Sequence, residues 1–299
     1  MTPALPINPP GTCLGTENAV LTGTSRCYFV PDVEGCLSIK TVLEGSALWE
    51  AGGRQFKVNE NCFLLLNDRQ KYTITIDSPM KTTTFCLFFE RGFVEDVFRA
   101  TVLPESSLLE APQPGHAPAL GFVEKLEPAD GRVMMSVQRL RMGLQDGALT
   151  RSAWEESFLG VAKALVWSHQ SAAENVARLP AVGAGTRAEL YRRLLRGRDF
   201  LLASNGSHVR LRDVAREACL SPYHFHRTFR SVFGETPHHL LLRQRLTRAA
   251  KLLCDPDRSV TDVCLEAGFE SLTSFSSLFR RHFGVPPRTY RKTGRAEFS

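Results

Sequence analysis

Asp213-Val214-Ala215-Arg216-Glu217-Ala218-Cys219-Leu220 and Asp262-Val263-Cys264-Leu265-Glu266-Ala267-Gly268-Phe269 share the pattern D-V-x-x-E-A at an offset of 49 residues. One extra residue, Glu270, moves the offset to 50. Ser221, Phe225, Phe229, Arg230, Phe233, Gly234 and Pro237 then match Ser271, Phe275, Phe279, Arg280, Phe283, Gly284 and Pro287. Eleven identities in one order mark a unit used twice.

Each copy reads as helix, tight turn, helix. The first helix is expected over Leu211 to Cys219 and again over Val260 to Ala267. Gly268 suits a left-handed C-terminal turn, whereas Cys219 at the same place carries a Cβ that this conformation resists. Ser221 and Ser271 stand where an N-cap would accept backbone N–H bonds. Pro222 follows at the first helical position, where its missing donor costs nothing. Gly234 and Gly284 close the second helices, and Pro237 opens a further helix toward Leu253.

Helical periodicity assigns the faces. Phe225, Phe229, Val232 and Phe233 recur as a buried stripe, while Tyr223, His226, Arg227 and Arg230 fall opposite. The second copy buries Phe275, Phe279 and Phe283 and presents Thr273, Ser276, Ser277 and Arg280. A helix-turn-helix lays its second helix in the DNA major groove, with residues near its N-terminus on base edges. Arg227 fits this use best, because a guanidinium grips guanine O6 and N7 with two parallel bonds. The helix from Pro237 to Leu253 spans about 25 Å and separates the two readers stiffly. Its Arg243, Arg245 and Arg248 are expected mainly to solvate it.

Charge supports a polyanion partner for this part. The chain has 299 residues with a formal net charge of +6. Residues 1–186 carry 16 Lys and Arg against 20 Asp and Glu, net −4, whereas residues 187–299 carry 21 against 11, net +10. The division falls at the loop-like stretch Pro180 to Thr186. A composition 43% hydrophobic and 23% charged excludes wholesale disorder. No apolar run approaches the ~20 residues that cross a bilayer. The opening MTPALPINPP lacks the basic-then-apolar order of a secretory signal, and eight cysteines without a CxxC pair read as reduced thiols. A cytoplasmic location is expected, at the nucleoid when bound, with no membrane partner.

Residues 187–299 resemble the DNA-binding domain of the AraC/XylS family of bacterial transcription regulators. The resemblance rests on SPYHFHRTFRSVFGETP, RLTRAAKLL, SVTDVCLEAGFES and FRRHFGVPPRTYR. It implies two helix-turn-helix units reading adjacent major-groove segments of double-stranded promoter DNA. By the same resemblance the base-reading residues are Tyr223, His226 and Arg227, then Leu272, Thr273, Ser276 and Ser277, with Arg230 and Arg280 toward phosphate or flank. RNA polymerase is an implied partner, and the family's activators set the expected mode. Members often carry Arg where Ser277 stands, so the second reader is expected to position on phosphates more than to discriminate bases.

The N-terminal part reads as β structure. CLSIKTVLEG, SALWEA, NCFLLLN, KYTITID and TTTFCLFFE are short strands separated by turn residues, including Asp77 to Pro79. Together they suggest an antiparallel barrel or jelly roll of cupin-like type. Trp49, Arg54, Phe56, Tyr72, Phe85 and Phe88 are imaginable pocket residues, but aromatics on short strands are more often core. No effector-binding residue is singled out. Two helices, Arg132 to Leu144 and Ser152 to Gln170, carry apolar stripes that pack on the barrel or pair two subunits as a homodimer. Trp167 falls on the far side of the second.

The expected fold class is therefore α+β: a cupin-like effector- or partner-binding domain over 1–110, a helical connector over 111–186, and an all-α DNA-binding domain over 187–299. Histidine is absent before His116, which removes a His-ligated metal from the barrel, and no GxSxG, HExxH or P-loop motif occurs. No catalysis, cofactor or metal is expected. The function expected is transcription regulation controlled through the barrel by a small molecule, the alternative being control by a protein partner alone.

Overall fold

The computed structural model describes residues 5–102, 121–122, 125–147, 149–177, 179, 183–204 and 209–293. His116, the beginning of the expected connector at 111–120, and Pro180 to Val182 of the expected joint lie outside these residues. By internal contacts the chain divides into two units, Met1–Ala177 and Arg178–Ser299. Among the described residues no helix is long and apolar enough to cross a membrane.

The first unit is a curled antiparallel sheet with helices on one face. Its strands are β1 (Ala19–Glu34), β2 (Ser38–Glu44), β3 (Ser46–Ala51), β4 (Arg54–Asn59), β5 (Cys62–Leu66), β6 (Lys71–Phe88) and β7 (Leu126–Pro128). β6 organises the sheet. It pairs with β1 along one edge, while β2 and β3 pair end to end along the other. β4 and β5–β7 extend the two branches.

The two strands expected at KYTITID and TTTFCLFFE are thus one. The turn expected at Asp77 to Pro79 is a register shift, where β6 runs from Asp77 to Thr82 while β1 advances only from Cys27 to Ser25. β1, β4 and β7 are additions to the expected set. Gly23, Pro31 and many small polar residues give β1 little strand signal of its own, and its pairing with β6 supplies the order.

Alternation along the strands sorts two interiors. Ile39, Phe85, Leu87 and Phe89 point to the helical face. There they meet α1 (Phe93–Val102), α2 (Arg132–Gln145) and α3 (Arg151–Ala177) through Val94, Val137, Leu140, Trp154, Phe158 and Val161. The apolar stripes of α2 and α3 therefore cover the sheet. Trp167, on the other side of α3, is half exposed, and the Arg132 guanidinium lies 4.3 Å from its ring centre.

The second unit is all helical: α4 (Ala184–Ala203), α5 (Leu211–Glu217), α6 (Pro222–Phe233), α7 (Pro237–Leu253), α8 (Val260–Glu266), α9 (Leu272–Phe283) and α10 (Pro287–Thr293). α4 begins at Ala184, inside the stretch expected as a loop. It packs on α5, α6 and α7. A Cβ at Gly197 would stand 2.6 Å from the Phe225 ring, so only glycine allows this approach. α7 touches both copies of the repeat, and its Leu246, Ala249, Ala250 and Leu253 join Val263, Ala267, Phe275 and Phe279 in one core.

Candidate nucleic-acid interface and barrel cavity

Each helix-turn-helix is held by the same local chemistry. Ala218 and Ala267 end the first helices, after which Cys219 (φ 51°) and Gly268 (φ 88°) both take the left-handed conformation. The next amides close the turn: Leu220 N–H donates to Ala215 O at 2.9 Å, and Phe269 N–H to Cys264 O at 3.0 Å. Cys219 therefore adopts the geometry that Gly268 takes freely. The Arg193 guanidinium on α4 donates to the Cys219 carbonyl at 3.5 Å.

The second helices of the two units, α6 and α9, start and stop alike. Ser221 Oγ accepts from His224 N–H at 3.3 Å, and Ser271 Oγ accepts from Ser274 N–H at 3.4 Å. Gly234 and Gly284 end them at φ 73° and 79°. Phe225, Phe229, Phe275 and Phe279 are fully buried, whereas Phe233 and Phe283 are half-buried at the helix ends. The entry to each unit differs. Ser259 and Asp262 form a reciprocal capping box on α8, whereas Arg210 gives α5 no side-chain cap.

On α6, Tyr223 is 77% exposed, Arg227 and Arg230 are exposed, and His226 is half-buried. Among the described residues these four side chains make no hydrogen bond or ion pair with the rest of the protein. On α9, Leu272, Thr273, Ser277 and Arg280 are exposed and Ser276 is half-buried. The structure thus brings each named set to one helical face.

The arginines of α7 are engaged within the protein rather than simply solvated. Arg243 pairs with Glu235 at 2.9 Å and Arg248 with Glu266 at 3.6 Å; beyond the helix, Arg258 bonds Glu266 and Asp255. Burial lowers the Arg245 pKa, opposed by Glu270. One cationic group was missed in the sequence. Arg288, Arg291 and Lys292 on α10 line a groove with Thr261, Leu272 and Ser276, beside α9. Their spacing after Pro286-Pro287 is the signal that identifies a short basic helix.

In the first unit the other strand faces enclose a cavity of about 380 Å³. Trp49, Tyr72 and Phe88 line it with Leu21, Ile74, Ile76, Thr84 and Lys40. Phe85 faces the helices instead, and Phe56 is core with the Arg54 guanidinium stacked on its ring at 4.7 Å. Among the described residues there is no cluster of three or more His, Cys, Asp or Glu able to hold a metal ion.

A helix-turn-helix domain family matches residues 214–293. PqrA of Proteus vulgaris, titled "Probable transcription factor PqrA", is 31% identical over 86 residues, covering 29% of this chain and 70% of PqrA. The HTH-type transcriptional activator RhaS of Klebsiella pneumoniae (strain 342) is 41% identical over 80 residues, 27% of this chain and 29% of RhaS. The chain spans about a third of the length of such longer curated relatives. Among solved structures, the DNA-binding domain of AdpA in complex with a target DNA is 32% identical, with a TM-score of 0.33, covering 36% of this chain and 96% of that one. With the two helix-turn-helix units in place and most of PqrA matched, the chain belongs to the AraC/XylS family of transcription regulators.

Proposed function

We propose that this protein reads two adjacent major-groove segments of a promoter with α6 and α9, under control of a small molecule held in the barrel. The observation that carries the reading is the pair of equivalent helices whose outward polar side chains have no partner among the described residues, set in a segment of net charge +10. In this reading Tyr223, His226 and Arg227 contact bases from α6, and Leu272, Thr273, Ser276 and Ser277 from α9. Arg230 and Arg280 serve phosphates or flanks, joined by the basic residues of α10. The α7 helix holds the two readers near the ~34 Å repeat of one DNA turn.

Residues 1–110 act as the sensor, 111–186 as connector and dimer contact, and 187–299 as reader. The protein works in the cytoplasm without catalysis, meeting RNA polymerase at the promoter. The cavity of about 380 Å³ supports the small-molecule control, since it falls in the ~300–1,000 Å³ range of ligand pockets.

Genome-wide mapping of bound sites, with and without the gene, tests the reading. A discrete set of sites sharing two half-motifs about one turn apart is expected. Affinity for such a site should fall about a thousandfold or more between ~50 and ~200 mM salt, as phosphate contacts release counterions. Uniform genomic occupancy, or an affinity indifferent to salt, overturns it.

A further inference from the structure

The cavity contains a cation that, among the described residues, no anionic side chain pairs with. Lys40 stands in the middle of β2, is 1% exposed, and lines the cavity. Its ammonium donates to the Tyr72 hydroxyl at 3.2 Å and lies 3.8 Å from the Phe88 ring centre and 4.3 Å from that of Tyr72. Among the described residues no carboxylate pairs with it. The ionisable groups that act on it are the thiols of Cys86 and Cys36, and burial pushes both thiols up, so they stay neutral.

A buried ammonium offers three donors, and the tyrosine uses one. The phenol accepts that bond and keeps its own O–H, since burial raises its pKa. Two donor groups, one of them charged, therefore converge on a space that Trp49, Ile74, Ile76 and Phe88 line on one part, with Thr22, Thr24 and other polar residues on the rest. A buried charge is costly unless paired, and the lowering of Lys40 from 10.5 to about 8, caused chiefly by desolvation, records that cost.

We propose that the barrel takes a small carboxylic acid with an aromatic or aliphatic body, its carboxylate bonded to Lys40 Nζ and the Tyr72 hydroxyl and its body against Trp49, Ile74, Ile76 and Phe88. The inference rests on the reading of the barrel as an effector site and names the ligand's chemical class. A single cation favours a monoanion over a phosphate, which usually draws a bidentate arginine or several amides. A fully apolar ligand would leave the ammonium unanswered, which makes the acid the better complement.

Thermal unfolding of the full chain provides the test, with phenylacetate against phenylacetamide and octanoate against octanol as probes. Both acids should raise the melting temperature with concentration up to about 10 mM, by mass action on the folded state. The uncharged partners should bind at least about tenfold more weakly, the usual worth of a bond to a charged group. The acid effect should disappear in Lys40→Met and fade as pH rises through about 8, where the free ammonium loses its proton. Should Lys40→Met not melt cooperatively, Lys40→Gln replaces it. Equal stabilisation by acid and neutral probe, or an undiminished acid response in the Lys40 variants, overturns the anion assignment and leaves the effector reading standing. No stabilisation by any of the four probes overturns both.

Discussion

The two helix-turn-helix units are built on one plan and diverge where the plan leaves freedom. Their buried positions coincide: Val214 with Val263, Ala218 with Ala267, Phe225 with Phe275, Phe229 with Phe279. Their turns close with the same bonds. The outward faces do not coincide, since Tyr223, His226 and Arg227 stand opposite Thr273, Ser276 and Ser277. Packing constrains a phenylalanine in a filled core far more tightly than solvent constrains an exposed side chain. The repeat thus preserves a scaffold while leaving two different outward faces, one with an arginine and one with short hydroxyls.

The largest effects should come from the shared core. Phe229→Ala and Phe279→Ala are each expected to cost about 3–5 kcal/mol of local stability, the range for emptying a buried aromatic site. Hydrogen-exchange mass spectrometry on the full chain reads this region by region. Fast exchange should spread over α4 to α7 for Phe229→Ala and over α7 to α10 for Phe279→Ala. Loss of protection in all seven helices from either change would mean that the copies form one cooperative body.

The outer faces come next. Arg227→Ala should weaken specific operator binding more than about tenfold, in line with ~1–3 kcal/mol per bidentate contact. Ser277→Ala should weaken it less. Gel-shift titrations at fixed salt that reverse this order would exchange the roles of the two readers.

The turns give the smallest and most local contrast. Gly268→Ala places a Cβ in the left-handed conformation and should cost about 1–2 kcal/mol. Cys219→Gly removes that strain and adds backbone entropy to the unfolded chain, so a gain below about 1 kcal/mol is expected. Guanidinium unfolding followed by far-UV circular dichroism checks both signs. The three tryptophans all lie in the first unit and do not report on these helices.

Lys40 shows a different consequence of the fold. With its amine at about 8 in place of 10.5, keeping it protonated in the folded protein costs about 3 kcal/mol. The unfolded chain binds the extra proton between these two values, so stability is lowest below about pH 8 and rises with pH toward 10.5. Lys40→Met should accordingly raise the ligand-free melting temperature at pH 7, with the difference shrinking as pH approaches 10.

By itself the sequence determined the repeat, the boundaries of α6, α7 and α9, the capping serines and the buried and outward faces of α6 and α9. These follow from contacts within three or four residues and from a 3.6-residue period, both written in local sequence. The tertiary structure decided what depends on distant partners. Pairing with β6 made strands of Ala19–Glu34, and the groove beside α9 gained its basic residues from α10. Closure of the sheet placed Lys40 inside. On a strand that alternates Ile39, Lys40, Thr41 and Val42, lysine ordinarily marks the side in water. In a curled sheet covered by helices both sides are interior, and only the fold shows which one holds the charge.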